Sequence, residues 1–82
     1  MNKVGVLVTV WDDDGYVEAS VYETKARAIE IAVGLIEESA DQDEGEDYIA
    51  SVKRLAQESL ERNGSYHDGA VAYRVFERLV NR

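Results

Sequence analysis

The sequence predicts a single α+β domain in which a β-hairpin is followed by two helices and a C-terminal strand, in the order ββααβ. Valine occupies every second position over residues 4–10, a period of two that is typical of a β-strand. Two later segments, about 24–39 and 47–62, repeat apolar residues at helical spacing. The 82 residues have the length of one domain, so residues 1–82 are treated as a single unit.

A hairpin turn is predicted directly after the first strand. Asp14-Gly15 suits a two-residue turn, because Gly accepts a positive φ freely and Asp tolerates it. With this turn, the two residue numbers of each cross-strand pair would add up to 29, so that Val10 faces Ala19. One face of the hairpin is then almost entirely aliphatic, and we call it the valine face after the valines of 4–10. We expect both helices to pack on the valine face.

Two helices account for most of the remaining chain. Thr24 is expected to cap the first helix, which runs to about Ser39 and is apolar on more than a narrow stripe. Residues 40–47 break the helical period and predict an acidic loop. The second helix is predicted over about 47–62, with Asn63-Gly64 as its end. Its inward residues are expected to be Ile49, Val52, Leu55, Ala56 and Leu60.

The segment 70–80 fits two structures. As a third helix it would make the order ββααα. As a strand, its odd-numbered residues from 71 to 75 join the core, with Arg74 and Arg78 on the opposite face. We favour the strand because the entry at Asp68-Gly69 lacks a capping box. A hairpin also gains stability from a third strand.

Negative charge is concentrated in the first part of the chain. Residues 1–47 hold 13 of the 17 Asp and Glu against three Lys and Arg, a net charge of −10, whereas residues 48–82 carry +2. Such a surface repels nucleic acid and attracts basic protein surfaces, so we expect no direct nucleic-acid binding. No apolar run approaches the ~18 residues of a membrane span, and the first residues lack a signal-peptide pattern. We therefore expect no membrane association and a cytoplasmic location.

The sequence predicts no catalytic residues, no cofactor and no metal site. His67 is the only histidine and there is no Cys, so a nucleophile, a base and an orienting group do not assemble. The acidic runs at 12–14 and 41–44 resemble calcium ligands in composition. However, an EF-hand loop that begins at Asp41 would have Val52 where a bidentate Glu is required. We expect a protein that is not an enzyme.

The other face of the hairpin, which mixes aromatic and polar residues, is a second candidate surface. Leu7, Trp11 and Tyr22 lie together on it, with Phe76 beside them if residues 70–80 form a strand. Aromatic residues surrounded by charge are common in protein interfaces. Two alternatives remain open: this face is covered as part of the core, or it is exposed and binds a partner or a second copy of the chain.

The layout of the whole chain resembles a known group of proteins. The features that carry the resemblance are the hairpin with an Asp-Gly tip, the passage 21–26 from strand to helix, the acidic loop 40–47 and the terminal segment 73–77. The group consists of the small acidic accessory proteins of phages and mobile elements, which include anti-CRISPR and other anti-defence proteins. Members commonly bind and block a host protein, some by presenting carboxylates in place of DNA phosphates. The resemblance implies a contact surface formed by Asp12, Asp13, Asp14, Glu37, Glu38, Asp41, Asp43, Glu44, Glu46 and Asp47.

The favoured interpretation is an acidic module that occupies the basic surface of a protein partner. Its most concrete form is a phage-type inhibitor of a nucleic-acid-binding host or defence protein. The alternative is a structural or regulatory domain that forms a homodimer through Leu7, Trp11 and Tyr22. A third interpretation is that the acidity only favours solubility or adapts the protein to high salt.

Overall fold

A computed structural model describes residues 2–40 and 42–80 and shows an α+β fold in the order ββααββ. The strands form one antiparallel sheet in the spatial order β2-β1-β4-β3. The elements are β1 (Asn2–Trp11), β2 (Val17–Tyr22), α1 (Lys25–Ser39), a 3-10 turn (Gln42–Glu44), α2 (Glu46–Asn63), β3 (Ser65–Asp68) and β4 (Val71–Val80). The predicted α+β class is confirmed, and residues 71–80 are a strand. The element that the sequence did not predict is β3.

The turn between β1 and β2 has four residues rather than two. The Trp11 amide donates to the Tyr16 carbonyl at 2.8 Å and the Gly15 amide donates to the Trp11 carbonyl at 2.9 Å, so residues 12–15 form the turn. The Asp14 carboxylate accepts a hydrogen bond from the Tyr16 amide at 3.0 Å, and Gly15 has a φ of +71°. Asp and Gly therefore favour this turn for the expected physical reasons, but in a longer loop.

The predicted register of the hairpin is wrong by two residues as a result. Val10 pairs with Val17 rather than with Ala19. Because side chains alternate between the two faces of a sheet with a period of two, this shift leaves each residue on the face that was predicted for it.

The helices cover the face opposite to the one that we predicted. Leu7 and Thr9 are 3% and 5% exposed, and they share the covered face with Tyr73 and Val75, their partners on β4. Helix α1 packs on β1 and β4, and α2 packs on α1 and β3. The expectation that the helices lie on the valine face is therefore wrong, and the valines of 4–10 face away from both helices.

Two features of the sequence explain this choice of face. Strand β4 places Arg74 and Arg78 beside the valines of β1, so covering the valine face would bury guanidinium groups at a high desolvation cost. On the covered face, Gly5 allows the backbone at the start of α1 to approach β1 closely. A Cβ atom at Gly5 would lie only 2.7 Å from the Cα atom of Lys25.

The core lies between the sheet and the two helices. Both helices contribute small residues, which allow close packing, together with branched residues that fill the space above β1 and β4. The buried residues are Leu7, Ala28, Ile29, Ala32, Val33, Ile36, Ala56, Leu60, Tyr73 and Val75. Leu55 was predicted to point inward but is 58% exposed, because α2 packs through the row of Ala56 and Leu60 instead.

The helices begin and end where the sequence predicts. The Thr24 hydroxyl accepts a hydrogen bond from the Arg27 amide at 3.1 Å and caps α1 as predicted. Helix α2 ends at Asn63 and is capped by Gly64, which adopts the left-handed conformation with a φ of +74°. Within the described residues, neither helix is long and apolar enough to cross a membrane.

Candidate functional site

Acidic segments that are distant in the sequence meet at one end of the sheet. The hairpin tip 12–14 follows β1, and the backbone amide of Asp12 donates to the carbonyl of Ala70 in the β3–β4 turn at 2.7 Å. The Ser39 hydroxyl lies 3.4 Å from the Asp68 carboxylate, which brings the C-terminal end of α1 to the same place. These two contacts bring three separate parts of the chain together.

The first turn of α2 belongs to the same end. Glu46 lines a groove of about 470 Å³ together with Glu37 and Glu38 of α1. The 3-10 turn, which carries Asp43 and Glu44, contacts α2. The α1–α2 connection therefore adds its carboxylates to those of the hairpin tip.

A second groove, of about 430 Å³, lies between α1 and the sheet, and we call it the Trp11 groove. Its apolar lining includes Trp11 and Leu35, and two exposed carboxylates, Glu18 and Glu38, also line it. The Trp11 ring packs against the ring of Tyr16, with centroids 5.2 Å apart, which limits the motion of the indole. Glu38 lines both grooves, so the two are adjacent.

We call the whole surface the acidic end. It comprises Asp12, Asp13, Asp14, Glu18, Glu37, Glu38, Asp43, Glu44, Glu46, Asp47 and Asp68. Lys53 and His67 are basic side chains that contact the acidic end. The Lys53 ammonium lies 3.1 Å from the Glu37 carboxylate, and the imidazole of His67 lies 3.2 Å from the Asp12 carboxylate. All four side chains are at least two-fifths exposed, and such surface pairs contribute only about 0–1 kcal/mol each. The end therefore keeps a strong negative charge.

Tyr73 also lines the Trp11 groove, where its phenol is a neutral hydrogen-bonding group. Burial raises the pKa of Tyr73 above the ordinary value for tyrosine; a hydrogen bond with Ser39 acts in the opposite direction, and the Asp68 carboxylate adds to the rise. Burial also raises the pKa of Tyr66, again with a contribution from Asp68. Both phenols therefore remain protonated at neutral pH.

The arrangement of the Trp11 groove suits a long cationic side chain. The aliphatic stem of an Arg or Lys could lie on Leu35 and the indole, and its charged head could reach Glu18 or Glu38. A cation beside an aromatic ring gains about 0.5–2 kcal/mol, and amphipathic stems pack well on apolar surface. A guanidinium could also bind a carboxylate through two hydrogen bonds.

Of the predicted acidic contact residues, Asp41 lies outside the described residues, and the other nine are among those by which the acidic end is defined. Their contact with a partner stays a prediction. The prediction missed Glu18 and Asp68. Glu18 could have been identified from its position on β2, since it shares a face with Trp11. Asp68 could not, because its position at this end depends on the unpredicted strand β3.

The residues that were predicted as an aromatic sheet face have different environments. Leu7 lies in the core beneath the helices, Tyr22 is half-buried against the core, and Trp11 lines its groove. Phe76 was expected beside them, but it pairs with Val6 on the valine face, so that expectation is wrong. A partner could therefore reach Trp11 but not Leu7 in this fold.

The fold and the site together define a small α+β protein with a grooved, acidic end. Within the part of the chain that the structure describes, no group of three or more His, Asp and Glu is arranged to hold a metal ion. No protein-family model, no curated protein and no solved structure matches the chain. The function must therefore be inferred from this surface.

Proposed function

We propose that this protein is a non-catalytic binding module whose acidic end docks on a basic surface of a protein partner. The observation that carries the proposal is an apolar groove lined by the carboxylates Glu18 and Glu38 at the end of the sheet that also holds the hairpin tip. Glu38 is shared with the adjacent groove, to which the start of α2 contributes Glu46. Charge alone would give a weak and unselective contact, whereas the Trp11 groove offers a place where one partner side chain can be buried.

The two parts of the site would have different roles in binding. Long-range attraction between the acidic end and a basic surface accelerates encounter and makes the association rate depend on salt. Burial of a partner Arg against Trp11 would slow dissociation, since aromatic and Arg contacts at the centre of an interface contribute most to affinity. Binding should therefore respond both to ionic strength and to the loss of the indole.

The partner class that we propose is a nucleic-acid-binding protein of the cytoplasm. Such proteins carry extended basic surfaces that neutralise phosphates, and the carboxylates of the acidic end could occupy the same surface. The bound protein would then compete with nucleic acid and act as an inhibitor. The exposed contact of His67 with Asp12 links the hairpin tip to β3 within this end.

The test is affinity capture from a bacterial lysate with three forms of the tagged protein, washed at low and high salt. The first form is the wild type, and the second carries Glu38→Gln, Glu44→Gln and Glu46→Gln at the acidic end. The third is a matched control with Glu58→Gln, Glu61→Gln and Glu77→Gln, which removes the same charge outside that end.

We expect the wild type and the control to retain a basic protein at low salt and to release it at high salt. The acidic-end variant should retain much less of it. Equal retention by all three forms, or retention that survives high salt unchanged, would contradict the proposed function. Mass spectrometry of the retained band would identify the partner.

A further inference from the structure

We propose that the valine face is the interface of a homodimer in which two sheets pack face to face. The proposal does not depend on the function of the acidic end. Alternate residues of β1, β2 and β4 form an apolar surface that neither helix covers. Val17, Val21 and Phe76 are 57%, 66% and 38% exposed on it, beside the half-buried valines of β1. Large exposed apolar patches on small proteins mark interaction sites.

The size of the valine face fits a second copy of the chain. Each strand residue covers about 16 Å² of a sheet, from its rise of about 3.3 Å and the strand spacing of about 4.8 Å. The four strands comprise 30 residues, so one face covers about 500 Å². Two such faces would bury about 1,000 Å² or more, which reaches the size expected of a biological interface. Face-to-face packing at about 10 Å is also a common arrangement of antiparallel sheets.

The charges around the valine face are complementary to those of a second copy. Among the described strand residues, those that point to this side include Arg74 and Arg78 but no Asp or Glu. Both arginines lie on β4, close to the edge of the sheet, since only the short strand β3 lies beyond it. Their long stems can therefore extend to the rim of a two-sheet interface and keep the guanidinium groups in water, which a helix laid across the face would prevent. Arg78 lies at the end of β4 far from the hairpin tip 12–14. If two copies pack with their strands antiparallel, the acidic tip of each lies near the Arg78 end of the other. A two-fold axis in the interface makes both of these contacts at once.

The chain offers a matched pair of variants for the test. Val17→Glu with Val21→Glu places two charges on the valine face, at positions exposed enough for the monomer to tolerate them. Leu55→Glu with Leu79→Glu places two charges elsewhere, at residues that are 58% and 61% exposed. The measurement is sedimentation equilibrium from nanomolar to high micromolar protein, with circular dichroism to verify that each variant is folded.

We expect the wild type to approach twice its monomer mass of 9.2 kDa as its concentration rises. The valine-face variant should have a dissociation constant raised about tenfold or more, because charge is desolvated in the interface. The control pair should behave as the wild type. If the glutamates unfold the protein, Val17→Thr with Val21→Thr keeps the β-branched shape and should still weaken the dimer several-fold.

Three results would overturn the proposal. These are a wild type that stays monomeric at every concentration, a folded valine-face variant that dimerises as the wild type does, and a control pair that loses the dimer equally. A monomeric wild type that instead captures a foreign protein, lost with Val17→Glu and Val21→Glu, would assign the face to that protein. The acidic-end variant should dimerise normally, so failure of this proposal and failure of the proposed function are separate outcomes.

Discussion

Substitution of Gly5 by Ala tests the close packing of α1 on the sheet. The added Cβ atom would lie 2.7 Å from the Cα atom of Lys25 and closer still to the Thr24 carbonyl, whereas ordinary contacts are about 3.5–4.0 Å. Because the crowded atoms are backbone, the start of α1 must move by about 1 Å. That movement strains the cap, in which Thr24 accepts a hydrogen bond from the Arg27 amide.

The expected loss of stability is about 2–4 kcal/mol. Overpacking costs about 1–3 kcal/mol, and a weakened N-cap adds about 1 kcal/mol. A domain of 82 residues has a total stability of about 4–12 kcal/mol, so this loss is a large fraction of it. Each kcal/mol lowers the Tm of a domain of this size by about 4–8 °C. Urea unfolding followed by circular dichroism measures the change.

Gly34 provides the matched control. It lies inside α1, and a Cβ atom there would meet no heavy atom within 4 Å. Gly34→Ala should therefore stabilise the protein by about 0.5–1 kcal/mol through helix propensity. If Gly5→Ala were as stable as the wild type, the close approach of α1 to β1 would be refuted.

Three further predictions concern stability. Leu60→Ala removes a fully buried side chain and should cost about 2–5 kcal/mol in urea unfolding; a cost below 1 kcal/mol would contradict its place in the core. Thr24→Ala should cost about 1 kcal/mol through loss of the cap, with Thr24→Ser restoring most of it. The raised pKa values of Tyr66 and Tyr73 predict a stability that is complete below the unfolded tyrosine pKa of about 10 and is lost as pH rises further. Tm measured against pH should show this alkaline decline, and Tyr73→Phe should reduce it; an identical decline in that variant would contradict the assignment.

Local structure could be predicted from the sequence because its causes lie within a few residues. The cap at Thr24 and the helix end at Gly64 depend on side-chain and backbone chemistry close to those positions. Alternation of valines over 4–10 predicted a strand that the structure contains. The helical period predicted both helices to within one or two residues at each end.

The choice of sheet face could not be predicted from the hairpin alone. When only β1 and β2 are considered, the helices could cover either face of the hairpin. The valine face is the more apolar of the two, so the hairpin alone favours the wrong one. One decisive residue, Arg74, lies outside the hairpin on β4 and makes the valine face costly for helices to cover. The other, Gly5, lies on β1 but acts through its close approach to the start of α1. Combining the strand interpretation of residues 70–80 with the position of Gly5 would have indicated the correct face.

The candidate site was predictable in its residues but not in its geometry. The acidic runs are visible in the sequence, whereas their convergence depends on the pairing of β1 with β4. At this end the paired residues Trp11 and Val71 are 60 positions apart in the chain, a contact that no local sequence pattern reveals. The Trp11 groove was not predicted, since its lining comes from both α1 and the sheet.

The most direct test of the acidic end is an NMR titration of the isotopically labelled protein with a short arginine-rich peptide. Trp11 is the only tryptophan of the chain, so its indole N–H signal reports on the groove without ambiguity. We predict that the largest shifts occur at this signal and at the amides of Glu18 and Glu38, and that they diminish as salt is added. Shifts spread evenly over the surface, or concentrated away from the acidic end, would contradict the account.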